Sequence, residues 1–339
     1  MIKAAIVGFG DGGRWNFLAL RSLGVKIVGI VDSIPKEVDT PFFSNLDKLF
    51  LGAESFDLLV IASPDAFHLA QTEEALKKGV PFIFVEKPLT VDKKELRRFC
   101  ELASHFPRRI IFGEKYSYAN PVQMALAKAD KLGNLVCGET TYTMSNCDRI
   151  MVPDSWRLSS AYNPCAGGLS HNFMTLRLFA KSPINKVWAI GQVLTYDNLR
   201  RIGGYDTMMG VIEFLNGICL QWQVCLGIKG DNSPYGHRTV AHNLQFERGT
   251  FVYAPDPKGD KLIVGGKKID FMPEPEKEEW HEYNKELYIA MHRDTLSCIR
   301  GGRGIHDIQH GINVAAACIY AFDSANEGGA WKEVPEYFF

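Results

Sequence analysis

Short apolar runs separated by polar, helix-periodic stretches set the rhythm of the first 118 residues. Ile2–Val7, Val25–Val31, Phe56–Ala62, Phe82–Val85 and Arg109–Phe112 are each too brief for a helix, and they lack the alternation of a half-solvated strand. Continuous apolar runs of this length predict parallel strands covered on both faces. Between them, Trp15–Leu23, Leu46–Leu51, Ala66–Lys78 and Asp92–His105 have helical period, and Gly79 supplies a stop after the third. Strict alternation with short connections predicts right-handed crossovers and a doubly wound parallel sheet, a Rossmann-type α/β domain over residues 1–118.

The pattern changes beyond that boundary. Pro121–Leu132 is helical in period, and then period-2 stretches dominate: Glu139–Met144, Lys186–Leu194, Met208–Phe214, Cys219–Val224, Leu244–Phe246 and Leu262–Val264. Turn signals such as Asn216-Gly217 and Lys258-Gly259-Asp260 fall between several of them. A helix over Gly168–Ala180 interrupts the strands, and long helices near Glu278–Ile299 and Ile308–Ser324 close the chain. Residues 119–339 therefore predict an α+β domain with an open, mostly antiparallel sheet. No internal repeat or low-complexity tract is present.

Chemistry enters at the first strand–helix turn. Gly8, Gly10 and Gly13 spell G-x-G-x-x-G directly after a strand, and Asp32 ends the next strand 19 residues past Gly13. Glycines let the backbone come close to a pyrophosphate, the helix N-terminus offers free N–H groups, and a carboxylate accepts hydrogen bonds from the ribose hydroxyls of an adenosine. The expected cofactor is NAD. NADP fits less well, because Asp32 stands where a 2′-phosphate would sit and Ser33-Ile34 brings no arginine, although Lys36 is close. Ligands of such sheets gather at the carboxyl ends of the strands, where Ser63-Pro64, Glu86-Lys87-Pro88 and Glu114-Lys115-Tyr116 also fall.

Bulk properties narrow the class. At 339 residues, two domains are expected. The 38 basic against 39 acidic residues leave a net charge of −1, which argues against a nucleic-acid or membrane-surface partner. Eight scattered cysteines without a C-x-x-C pair suit a reducing, cytoplasmic setting, and neither a signal peptide nor a membrane-spanning run is read at the sequence level. His306 and His310 have the i, i+4 spacing of metal ligands, but no third ligand is evident, so no metal is expected.

The fingerprint, the Ser63–His68 loop (SPDAFH), the Glu86-Lys87-Pro88 tripeptide, Trp156-Arg157 and the Gly167-Gly168-Leu169-Ser170-His171 run together resemble the Gfo/Idh/MocA oxidoreductases, in the expected order along the whole chain. That resemblance implies hydride transfer between a nicotinamide and a ring carbon of a sugar, cyclitol or sugar nucleotide. It implies cofactor contacts from Gly8, Gly10, Gly13, Asp32, Ser63, Pro64, His68, Glu86, Lys87 and Lys115, and a cis bond before Pro88. Lys87 is the expected catalytic lysine, stabilising charge on the reacting oxygen, and His171 the expected acid–base group. An imidazole opening a helix would otherwise be a cap. Relatives carry aspartates four residues before and three after this histidine, where this chain has Gly167 and Met174. Asn172 or Thr175 could replace the second as a sugar ligand. Trp156, Arg157, Tyr235 and His237 complete the expected substrate set, and a homodimer or homotetramer is implied. Two other functions stay open: an NAD-dependent glycosidase that oxidises C3 transiently, and a non-catalytic nucleotide-sensing regulator.

Overall fold

In the computed structural model of the chain, residues 1–145, 147–149, 151–152, 155, 158, 164–229, 238–253, 261–269, 280–302, 304–305 and 307–338 are described. Strands and helices alternate from the start: β1 (Lys3–Val7), α1 (Asp11–Ser22), β2 (Lys26–Val31), β3 (Phe42–Phe43), α2 (Leu46–Gly52), β4 (Leu58–Ile61), α3 (His68–Lys77), β5 (Phe82–Glu86), α4 (Lys93–His105) and β6 (Ile110–Gly113). All six strands are parallel, in the order β3-β2-β1-β4-β5-β6. Ala4, Ala5 and Ile6 of β1 and the whole of β4 are fully buried, which is why these strands read as unbroken apolar runs. Chain order reverses across β1, with β2 on one side and β4 on the other, so the carboxyl ends of these strands border the switch point where ligands of such sheets bind.

The chain continues through α5 (Asn120–Ala127), α6 (Ala129–Leu132), β7 (Leu135–Ser145), α7 (Cys165–Ala180), β8 (Ile184–Gln192), β9 (Thr207–Phe214), β10 (Cys219–Ile228), β11 (Arg238–Phe246), β12 (Gly249–Tyr253), β13 (Lys261–Val264), β14 (Lys267–Ile269), α8 (Trp280–Ile299), α9 (Ile308–Asn326) and β15 (Lys332–Glu333). The second sheet has the order β14-β13-β12-β11-β7-β10-β9-β8-β15, antiparallel except where β10 runs beside β7. Burial alternates along its central strands. Tyr142, Ile212, Leu220, Trp222 and Val224 are buried, with α7 packed on these strands, and Met209, Gln221 and Cys219 point the other way and are exposed.

Two compact units result. One comprises Met1–Thr90, Lys94–Lys115 and Glu278–Ile312, and the other Val91–Lys93, Tyr116–Lys277 and Asn313–Phe339. A single sequence boundary near residue 118 does not anticipate that α8 returns to the parallel-sheet unit, where it packs against α1. Among the described residues, no helix is long and apolar enough to cross a membrane.

Candidate active site

The glycine turn after β1 is shaped by two contacts that admit no side chain. Gly8 has φ +84°, and an ideal Cβ on it would lie 2.5 Å from the Ser63 nitrogen. A Cβ on Gly13 would lie 1.9 Å from the Gly8 carbonyl oxygen, so this glycine lets α1 begin against the turn. Gly10 differs, because a Cβ there meets nothing within 4 Å. It is the N-cap of α1, contributes no capping side chain, and leaves the first-turn N–H groups open for a phosphate. At the end of β2, the Asp32 carboxylate accepts the Phe9 N–H at 2.5 Å and the Ile34 N–H at 3.0 Å. It is thereby pinned beside the glycine turn, as ribose recognition requires. These residues fit NAD: a close-approach glycine, free helix-end donors and a fixed acceptor stand in one corner of the sheet.

The loop after β4 is held from within. Ser63 Oγ donates to Gln71 Oε1 at 2.6 Å, and Pro64 leads into a short turn of helix before α3. His68 is buried, with Nε2 2.9 Å from the Ser63 carbonyl and Nδ1 3.2 Å from the Leu89 carbonyl. Burial pushes its pKa down to about 4 although both carbonyls favour a proton, so the ring is neutral and donates to one of them. Both nitrogens face the backbone. His68 therefore straps the loop after β4 to the loop after β5.

At the end of β5, the Lys87–Pro88 bond is cis. Glu86 is buried, and desolvation raises its pKa, opposed by a hydrogen bond from Asn16 and by the charges of Lys87 and Lys115. Its Oε1 accepts from Asn16 Nδ2 at 2.9 Å and its Oε2 from the Lys87 backbone N–H at 3.2 Å. After β6, Glu114 and Lys115 are buried as well. The Lys115 ammonium donates to Asn284 Oδ1 and lies 5.1 Å from the centroid of the Tyr288 ring, both on α8.

In the other unit, His171 lies in the second turn of α7, six residues past its start, so it is not the cap that its glycine-rich approach suggested. It is buried between two tyrosines: Tyr116 edge-on at 4.6 Å and Tyr142 roughly parallel at 5.8 Å. Gly168 permits this. A Cβ there would come within 2.6 Å of the Tyr142 ring. Asn172 and Thr175, expected as sugar ligands, are fully buried, and the Asn172 amide donates to the Gln223 carbonyl of β10 at 3.3 Å. Both lie on a helix buried on nearly every face, where Asn172 Oδ1 and Thr175 Oγ1 have no hydrogen-bond partner among the described residues. Met174 is equally enclosed. Trp156, Arg157, Tyr235, His237 and His306 lie outside the described residues. His310 is described, and its Nδ1 meets the Ile305 carbonyl at 2.9 Å. Among the described residues no three His, Cys, Asp or Glu side chains group as a metal site.

Sequence reasoning missed Asn16, Asn284, Tyr288 and His292. The last three recur at every fourth position of one helix, a signal that was available.

Comparison with known proteins agrees with this geometry. Residues 2–113 match the Gfo/Idh/MocA family, described as an oxidoreductase family with an NAD-binding Rossmann fold. Oxidoreductase cns1 of Cordyceps militaris is 24% identical over 174 residues, 49% of this chain and 21% of that protein's length. Solved structures with the same fold include scyllo-inositol dehydrogenase from Lactobacillus casei with bound NAD(H) and scyllo-inositol (TM-score 0.76, 19% identity, 98% of this chain and 99% of that one). Levoglucosan dehydrogenase in complex with NADH and L-sorbose superposes at a TM-score of 0.82 with 16% identity, over 99% of this chain and 100% of that one. Myo-inositol 2-dehydrogenase from Lactobacillus plantarum gives 0.77 with 17% identity, over 98% and 99%. At such identities the likeness is one of fold. Joined to the glycine turn and the Asp32 clamp, the match leads to one conclusion: residues 2–113 form a Rossmann domain similar to the NAD-binding domain of the Gfo/Idh/MocA oxidoreductases.

Proposed function

We propose that this protein is an NAD-dependent dehydrogenase or reductase that moves a hydride between the nicotinamide and a ring carbon of a sugar, cyclitol or sugar nucleotide. One observation supports it above others: the glycine turn, the Asp32 clamp and the Glu86-Lys87-Pro88 turn share the carboxyl end of one parallel sheet. Structures with the same fold are described with NADH and either a cyclitol or a sugar. Bound NAD supplies the hydride acceptor. Lys87 would hold the reacting oxygen and stabilise its developing charge, and His171 would take or return the hydroxyl proton. The pinned Asp32 carboxylate favours NAD over NADP.

The sheet face opposite α7 exposes Met209 and half-exposes Trp188, Ile190 and Val211. A second copy of the chain would cover it, which supports a homodimer or homotetramer. Eight scattered cysteines without a C-x-x-C pair favour a cytoplasmic location. Incubation with NAD and a panel of cyclitols and sugars, followed through NADH absorbance, tests the activity. Stoichiometric NADH with one of them supports the dehydrogenase. Cleavage of a glycoside without net NADH would replace it by the glycosidase, and tight NADH binding without turnover of any polyol or keto-sugar by the nucleotide-sensing regulator.

A further inference from the structure

Asn284, Tyr288 and His292 form one stripe of α8, and each meets a residue at or near the cofactor end of the parallel sheet. Asn284 takes the Lys115 ammonium. Tyr288 lies beside the same ammonium and stacks on Trp15 of α1 at 6.5 Å. His292 packs on Phe84 of β5 at 4.9 Å and reaches Asn16 of α1.

Asn16 sets the direction of the resulting chain. Its Nδ2 is 2.8 Å from the Gly12 carbonyl and 2.9 Å from Glu86 Oε1, and its Oδ1 is 2.6 Å from His292 Nε2. Turning the amide over would set its oxygen against a carbonyl and a carboxylate at once. The amide therefore donates twice, its oxygen accepts, and the proton resides on His292 Nε2. His292 Nδ1 is left as a buried lone pair without a hydrogen-bond partner. Burial keeps this ring neutral, with its pKa pushed down to about 3. The one hydrogen bond that this ring makes among the described residues is the one that it donates to Asn16.

We propose that His292 is a positioning residue for the Glu86-Lys87 turn: it locks the Asn16 amide, which holds the Glu86 carboxylate, which in turn carries the Lys87 backbone. Its value to catalysis rests on Lys87 acting as proposed above. Besides the Asn16 amide, the charges bearing on Glu86 are those of Lys87 and Lys115.

The test uses the full chain with isotope-labelled glutamate carboxyl groups, the Glu86 resonance being assigned by its loss in Glu86→Gln. His292→Phe keeps the ring and removes the donor. It should raise the Glu86 titration midpoint by about 0.5 to 1 pH unit, because a loosened amide favours the carboxylate less. Asn16→Leu should raise it at least as far, and His292→Gln, which restores an N–H donor, should return it toward the wild-type value. In the wild-type protein, nitrogen NMR of labelled histidine should show His292 as the Nε2–H tautomer, a reading that needs no variant to fold. An Nδ1–H tautomer, or a Glu86 midpoint unmoved in His292→Phe, would overturn the proposal. NADH titration of the wild-type protein reports separately on the cofactor, so failure there would sink the dehydrogenase and leave the Glu86 result intact.

Discussion

Replacing Gly10 by alanine separates a glycine that serves the ligand from glycines that serve the fold. Its backbone, at φ −73° and ψ −159°, suits any L-residue, and an added Cβ touches no protein atom within 4 Å. The folded protein should therefore tolerate Gly10→Ala with little net change, because a gain of about 0.4–1 kcal/mol from restricting the unfolded chain is offset by alanine being a poorer N-cap than glycine. The methyl group would instead fill the space through which a pyrophosphate approaches the first-turn N–H groups of α1. Displacing the phosphate weakens charge-assisted hydrogen bonds worth about 1.5–3 kcal/mol each. Losing one of them raises the NADH dissociation constant by about 10- to 100-fold, at 1.4 kcal/mol per decade. Gly13→Ala is the contrast. Its Cβ would stand 1.9 Å from the Gly8 oxygen, in a turn already fixed by the 2.8 Å bond from Gly8 N–H to the Val31 carbonyl. That variant should lose both thermal stability and cofactor. Fluorescence titration with NADH and a melting curve on each variant make the comparison. If Gly10→Ala bound NADH within about twofold of wild type, or lost as much stability as Gly13→Ala, the pyrophosphate would not lie where the open space puts it.

Asp32→Ser should weaken NADH and strengthen NADPH, narrowing or reversing their ratio in a paired fluorescence titration; a ratio unchanged from wild type would remove Asp32 from discrimination. His171→Ala should lower turnover on the substrate found by the panel by about 100- to 10,000-fold with NADH affinity nearly unchanged. Lys87→Ala should cost at least as much, and the double variant little more than the poorer single one; additive losses would mean that the two do not act as a unit. Acid should destabilise the fold through its buried neutral imidazoles, since the folded pKa values of His68 and His292, about 4 and about 3, lie below the usual 6.5 and their contribution, full above 6.5, is lost as pH falls. At pH 5 the two together remove about 4 kcal/mol, read by urea unfolding against pH 7, while Glu86 runs the opposite way because its raised pKa favours the fold in acid. A protein equally stable at both pH values would refute that sign.

The parallel sheet was legible because burial on both faces removes any need for polar alternation. Ala4, Ala5, Ile6 and Leu58–Ile61 show nothing but apolar side chains, and their glycine and proline neighbours mark the ends. The second sheet was legible only where alternation was clean. The reading of Leu244–Phe246 caught the end of β11, which begins at Arg238, because Thr239, His242 and Asn243 dilute the apolar signal. Gly249–Tyr253 and Lys267–Ile269 went unread because each gains strand character from a neighbour in the ladder more than from its own pattern. The predicted helix Pro121–Leu132 is two helices that meet at Lys128, a break that no glycine or proline announces.

At the site, spacing revealed whatever depends on neighbours in sequence and hid whatever depends on neighbours in space. Gly8, Gly10, Gly13 and Asp32 are legible since one strand–turn–helix–strand unit places them all. Asn16 sits six residues past Gly10 and looks like an ordinary polar position of a helix, because the partner that gives it meaning is 276 residues away. Asn172 and Thr175 are likewise defined by neighbours in space: α7 buries both, and the Asn172 amide donates to a sheet carbonyl. Glu86, Lys115, Asn16 and His292 are buried polar groups with partners on α1 and α8, and an apolar residue at Asn16 takes a hydrogen-bond partner from both Glu86 and His292, at about 1–3 kcal/mol for each buried group left unsatisfied. Such a set is conspicuous in three dimensions and silent in one. The return of α8 to the first unit is therefore what brings Asn284 to Lys115 and His292 to Asn16, and that return is the step which apolar periodicity cannot report.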